Sequence, residues 1–186
     1  MIEFVNISKS YDKKIIENLS FKINEGENFG FFGKSGIGKT TIINLILGFA
    51  KPDSGEIYND YKKMSVVFQE NRLVDEISAI DNLKMLTNDK NLAIDVLEKF
   101  AIKDYKKIVK KLSGGTQRRL ALARAFLYKG EILILDEPFT GIDDTNKAKI
   151  IKLFKEEFMN KSIILVSHNK DVFKAFEICN KNTIFL

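Results

Sequence analysis

With 186 residues, 45% of them hydrophobic and only two prolines, the chain is neither disordered nor collagen-like, and its length suits a single domain. One cysteine, Cys179, excludes a disulfide-stapled scaffold. The net charge of +5 is concentrated in residues 103–119, where seven basic residues face one acid, Asp104. Only Tyr105 is interleaved there as a stacking partner, so this stretch reads as a solvated helix face and no nucleic-acid partner is expected. No basic region followed by an apolar run opens the sequence, and its apolar runs fall far short of the ~18 residues that span a bilayer, so a cytosolic chain is expected.

Taken in chain order, periodicity gives an α/β pattern. Residues 2–7 and 19–23 alternate as half-buried strands do, and Phe29-Gly30-Phe31-Phe32 is a short apolar strand. A glycine-rich loop follows, then a helix over residues 40–47 closed by Gly48. Pro52-Asp53-Ser54-Gly55 carries turn chemistry, and residues 64–68 form the next strand. From residue 78 to about 105, apolar residues recur at helical spacing with no strand signal between them. The reading is a small helical subdomain, about residues 71–128, inserted into one domain spanning 1–186. A helix over 116–128 leads into Ile132-Leu133-Ile134-Leu135, a continuous apolar run that predicts a central parallel strand buried on both faces. A helix over 147–158, a second central strand over 162–166 and a terminal strand over 183–186 complete the chain. The expected fold is a mostly parallel sheet flanked by helices, with an antiparallel β portion near the N-terminus.

Gly33-Lys34-Ser35-Gly36-Ile37-Gly38-Lys39-Thr40 fits the phosphate-loop pattern, with a strand before it and a helix after it. Glycines let successive backbone N–H groups turn inward as a nest for phosphate oxygens, and the helix adds the positive end of its dipole. Chance produces the pattern in a chain of this size less than about once in 100. Lys34, Ser35, Gly36 and Gly38 belong to the cradle, Lys39 neutralises β/γ-phosphates, the Thr40 hydroxyl is a Mg²⁺ ligand, and Thr41 is a phosphate contact. A second loop, Leu112-Ser113-Gly114-Gly115-Thr116-Gln117, also precedes a helix and again offers donors at a helix N-terminus. One nucleotide site has no need of two such loops, unless two chains pair head to tail and Ser113, Gly114 and Gly115 of each face the other's γ-phosphate.

With both loops in place the sequence resembles the nucleotide-binding subunits of ATP-binding cassette (ABC) transporters, in a short form. Residues 112–117 match that family's signature loop, with Thr116 where most members carry Gln. Residues 132–137 resemble its Walker B strand. The resemblance implies that Asp136 holds Mg²⁺, that Glu137 is the general base for the attacking water, and that Gln69 is the glutamine that senses Mg²⁺ and faces the membrane partner. It further implies that His168, the sole histidine, contacts the γ-phosphate and orients Glu137, that Tyr11 stacks on adenine, and that Asp143 is the D-loop aspartate. For Asp143 a helix N-cap is the plain structural alternative.

The function implied is ATP hydrolysis at two sites between paired cassettes, a homodimer or a pair of close paralogues, powering a transmembrane permease from the cytoplasmic face of the membrane. Asn71-Arg72-Leu73 resembles cassettes of the nitrate/sulfonate/taurine importer group and favours import of a small solute. A soluble cassette ATPase of the iron–sulfur assembly or translation-associated kind carries the same motifs and is the alternative. Glu137 and His168 together argue against a non-hydrolysing regulator, and residues 112–117 argue against a phosphate-loop kinase.

Overall fold

The computed structural model describes all residues from Met1 to Leu186. Its central sheet has five parallel strands in the order β5-β6-β7-β3-β8, formed by Met64–Val67, Ile132–Asp136, Ser162–Ser167, Phe29–Phe32 and Thr183–Phe185. The apolar run in β6 is buried throughout because its two faces serve two cores. Leu133 and Leu135, with Ile163 and Leu165 of β7, pack under the helices of one side. Ile132 and Ile134, with Ile164 and Val166, join Phe29, Phe31 and the apolar face of α1 (Lys39–Ile46) on the other.

A three-stranded antiparallel sheet, β2-β1-β4, closes the second core: β1 is Ile2–Ser10, β2 is Lys14–Ile23 and β4 is Ser54–Asn59. Phe4 of β1 and Phe21 of β2 stack at 4.4 Å between ring centroids and continue to Phe29 and Phe31, so aromatic contact joins the two sheets. Strand β4 corrects the expected turn over Pro52-Asp53-Ser54-Gly55. Only its first half lies outside the strand; Ser54 and Gly55 already belong to it, and its mostly exposed sequence, with one charge at Glu56, hides it from periodicity. Pairing with β1, at Phe4↔Ile57 and Val5↔Glu56, imposes the extended form.

Between β5 and β6 lies the helical insertion: α2 (Ala79–Lys84), α3 (Lys90–Lys99) and α4 (Gly114–Tyr128). Ser78, Asp89 and Ser113 cap these helices with their side-chain oxygens. Leu83, Val96, Leu97 and Phe100 pack on Leu120, Ala123 and Phe126 of α4, merging the insertion with the sheet's core. Helix α4 starts at Gly114, two residues before the expected Thr116, and α5 (Asp144–Glu157) starts three before the expected Lys147. In both, the cap is a polar residue just outside the apolar pattern. A short helix not anticipated from the sequence, α6 (Lys170–Ala175), is capped by Asn169 and seals β3 and β7 with Val172 and Phe173.

The basic stretch over 103–119 is not a uniformly solvated face. Arg118 is 3% exposed and forms part of the interior.

Candidate functional site

The strand ends of β3, β6 and β7 open at one edge of the sheet, and the candidate residues gather there. Gly36 and Gly38 have φ of 81° and 111°, backbone that a side chain rarely adopts, and this curls residues 33–38 over the start of α1. Lys39 is buried beneath the loop, and its Nζ donates to the carbonyls of Gly33 (2.6 Å) and Lys34 (3.0 Å). Ser35, Gly36, Gly38, Lys39, Thr40, Thr41, Gln69, Asp136 and Glu137 line one cleft.

Glu137 adopts φ 42°, in the left-handed region that costs a non-glycine residue about 1–2 kcal/mol. The backbone is held there by Glu137 N donating to the Val166 carbonyl at 2.9 Å. Its carboxylate is held too: Oε2 accepts from Ser167 Oγ (2.9 Å), Oε1 accepts from His168 N (3.0 Å) and lies 2.7 Å from His168 Nδ1. Lys39 Nζ stands 3.8 Å from the same Oε1. The sequence placed His168 beside Glu137; Ser167, which holds the other oxygen, carried no motif signal.

Asp136, 1% exposed, sits at the end of β6. Burial, and then the neighbouring Glu137 charge, raise its carboxyl to about 6, against the opposing pull of Lys39 and Arg118. Thr40 lies against this carboxylate, while Oδ1 is buried with no hydrogen-bond partner. A buried carboxylate oxygen without a donor, beside a hydroxyl and a glutamine amide in the same cleft, is an oxygen-rich set that suits a hard divalent cation such as Mg²⁺.

Tyr11, Ser113–Gly115 and Asp143 lie outside this cleft. Tyr11 sits at the β1–β2 turn, 59% exposed, with Lys9 Nζ 5.4 Å from its ring centre. Ser113 caps α4, and its Oγ lies 2.9 Å from Thr116 Oγ1, which accepts from Arg119 Nη2 at 3.1 Å. No hydrogen bond joins Ser113, Gly114 or Gly115 to residues 33–41 of the same chain. Asp143 occupies the N-cap of α5, accepting from the backbone and side-chain amides of Asn146, and both bonds lower its pKa.

The residue that motif reading passed over is Arg118. Its guanidinium reaches the carbonyls of Phe68, Gln69, Asp136, Glu137 and Pro138. Its only sequence signal was a place in a basic run.

Comparisons with known proteins identify the family. Residues 16–140 match the family described as ABC transporter. The phosphonates import ATP-binding protein PhnC of Fusobacterium nucleatum is 31% identical over 95% of this chain and 85% of its own length. The lipoprotein-releasing system ATP-binding protein LolD of Buchnera aphidicola is 32% identical, over all of this chain and 96% of its own length. Among solved structures, the dimeric post-hydrolysis ATP-binding cassette MJ0796 bound to ADP and Pi superposes with a TM-score of 0.86 at 25% identity, covering 100% of this chain and 94% of that one. The chain is a member of the ABC transporter family and hydrolyses ATP as an ATP-binding subunit.

Proposed function

We propose that the chain pairs with a second cassette, a copy of itself or a close paralogue, around two ATP molecules and drives a membrane permease that imports a small solute. The observation that carries this reading is the carboxylate of Glu137, fixed by Ser167 and His168 and aimed at the mouth of the phosphate loop, 3.8 Å from Lys39. Fixing both oxygens removes the orientational freedom a general base must otherwise lose in the transition state. Glu137 accepts a proton from the attacking water, and His168, 66% exposed in its side chain and bonded to Glu137 through Nδ1, keeps Nε2 for a γ-phosphate. The loop amides of residues 33–38 and Lys39 bind the phosphates and stabilise charge developing on the departing group. Tyr11, exposed at the β1–β2 turn, supplies the face on which adenine stacks. Thr40, Gln69 and Asp136 are the residues that would hold Mg²⁺, which would supply positive charge against the developing negative charge of the phosphates.

Ser113, Gly114 and Gly115 offer polar groups at the start of α4 with no phosphate of their own chain to meet, which favours completion of each site by the partner's loop. The D-loop position of Asp143, whose carboxylate is used as a cap, serves this interface by fixing the start of α5. Beside Gln69 runs a groove of about 400 Å³ lined by Phe49, Met64, Phe68, Leu86, Ala125 and Tyr128, with Arg72 and Arg124 among them. Phe49 is 65% exposed, and an apolar groove of this kind suits a short helix of a permease. The resemblance of residues 71–73 to the importer group favours import; of the two relatives reported above, one is an import protein and the other a lipoprotein-releasing one. No helix is long and apolar enough to cross a membrane, so membrane attachment comes through that partner at the cytoplasmic face.

Two measurements test the reading. Glu137→Gln should bind ATP within about threefold of wild type and lose at least about 100-fold in phosphate release, because an amide cannot accept the proton. Lys39→Ala should instead weaken equilibrium ATP binding. For the partner, Phe49→Glu should move the chain from the membrane fraction of its own cells to the supernatant with ATP binding intact. Full turnover in Glu137→Gln removes it from the base role, and an unchanged membrane fraction in Phe49→Glu removes the groove from docking.

A further inference from the structure

Two cationic side chains are buried in this protein, and the mechanism uses only Lys39. The other, Arg118, is 3% exposed, and no carboxylate hydrogen-bonds to it. Nε donates to the Pro138 carbonyl at 2.8 Å, and Nη2 donates to the carbonyls of Asp136 and Glu137, both at 2.9 Å. Nη1 donates to the carbonyls of Phe68 (2.5 Å) and Gln69 (3.2 Å) and to Asn71 Oδ1 (3.3 Å). Every nitrogen of the fork is engaged, and five of the six acceptors are backbone carbonyls.

Burying a guanidinium against backbone dipoles is costly, and an apolar side chain could fill the same volume without that cost. The sheet explains what the charge supplies. Strands β5 and β6 pair in register as far as Val67↔Leu135. Beyond that point the two chains diverge, and no backbone hydrogen bond joins Phe68 or Gln69 to Asp136 or Glu137. Carbonyls from both segments accept from the planar fork of Arg118, which joins them by one side chain from α4. A lysine, with one compact ammonium, cannot span the same set of acceptors. The contact is also a link to the helical insertion. Arg124, about 1.7 turns further along α4, donates to the Arg72 carbonyl at 2.8 Å, so the loop over residues 68–72 is tied to α4 at two points.

We propose that Arg118 is a positioning residue for hydrolysis, locking the Gln69 loop and the Asp136–Glu137 backbone into one geometry so that the glutamine amide and the catalytic carboxylate keep a fixed separation. The proposal rests on the reading of Gln69 and Glu137 given above. Arg118 touches no substrate; it acts through the backbone on which those side chains are mounted. Misplacement of a base by an ångström is enough to slow a reaction by about 100-fold while leaving binding of the phosphates, which depends on residues 33–41, untouched.

The test is Arg118→Ala in the full chain, assayed for steady-state phosphate release, equilibrium ATP binding and thermal unfolding, with Arg118→Lys alongside. The expected result for folded Arg118→Ala is a kcat reduced 10- to 100-fold with ATP affinity within about threefold of wild type. Arg118→Lys should fall between the two. Free guanidinium at about 20 mM should restore part of the lost kcat in Arg118→Ala, where potassium at the same ionic strength does not. If Arg118→Ala does not fold, Arg118→Met, which fills the volume without a charge, takes the same assays. Wild-type kcat in the folded variant overturns the proposal, as does a loss of ATP affinity large enough to account for the whole loss of rate. Glu137→Gln assayed in parallel separates the two levels: activity there defeats the assignment of the base, whereas inactivity there with an active Arg118→Ala defeats only the clamp.

Discussion

Asp136 and Glu137 are adjacent in sequence yet differ in what their surroundings ask of them. Glu137 accepts hydrogen bonds at both oxygens, whereas Asp136 Oδ1 is buried without a donor and its carboxyl is raised to about 6 by burial and by Glu137. The folded chain therefore binds this proton more tightly than the unfolded chain. Asp136's contribution to stability is full below about pH 4 and is lost as the pH rises through about 6. In EDTA without nucleotide at pH 8, Asp136→Asn should unfold some 2–10 °C higher than wild type, corresponding to roughly 1–3 kcal/mol. The gap should close toward pH 4, and thermal melts across that range provide the check; an equal gap at both ends contradicts the account. With ATP and Mg²⁺ present the order should reverse, because the variant lacks the ligand the cation needs.

At the scale of elements, the N-terminus of α4 is set against the loop that leads to α5. A methyl group added at Gly115 would stand 2.7 Å from the Gly141 carbonyl oxygen, backbone that cannot step aside cheaply. Gly115→Ala should therefore cost about 1–3 kcal/mol in denaturant unfolding, whereas Gly114→Ala, which meets nothing within 4 Å, should not destabilise the fold. How much of this was legible in the sequence depends on whether the signal was local. The phosphate loop, the buried run of β6 and the helical insertion all declare themselves within a dozen residues, through glycine spacing or apolar period. Strand β4 did not, because its extended form comes from pairing with β1, and α6 did not, because six residues are too few for a period to register. Among site residues, Glu137 and His168 stand 31 apart in sequence and were joined by family resemblance; the hydrogen bonds supply the physical reason. Ser167 and Arg118 escaped because a serine in a strand and an arginine in a basic run look ordinary until the chain is folded.

For the whole molecule, the two loops proposed to meet phosphate, residues 33–41 and the start of α4, share no hydrogen bond within one chain, and both are basic in sequence, with Lys34 and Lys39 in one and Lys110, Lys111 and Arg119 beside the other. Two copies brought together without nucleotide would set like charges against each other, and ATP supplies the negative charge between them. Glu137→Gln should be monomeric in light scattering after size exclusion without ATP and dimeric with it. Adding Ser113→Arg should return it to a monomer while ATP binding persists, and a dimer indifferent to that change removes the sandwich for the isolated chain. The order of the central sheet carries a different consequence, for how the protein comes to exist. Strand β3, on which the phosphate loop is mounted, lies between β7 and β8, whose residues come from 162–167 and 183–185. During synthesis the loop is made early but its strand has no neighbours in the sheet until residues 162–167 have left the ribosome. The first 60 residues can pair β1 with β2 and β4 while they wait. Such distant pairings slow folding, so the ability to hold ATP waits on strands made more than a hundred residues after the loop, and a ribosome stalled before residue 162 carries a phosphate loop without its sheet neighbours.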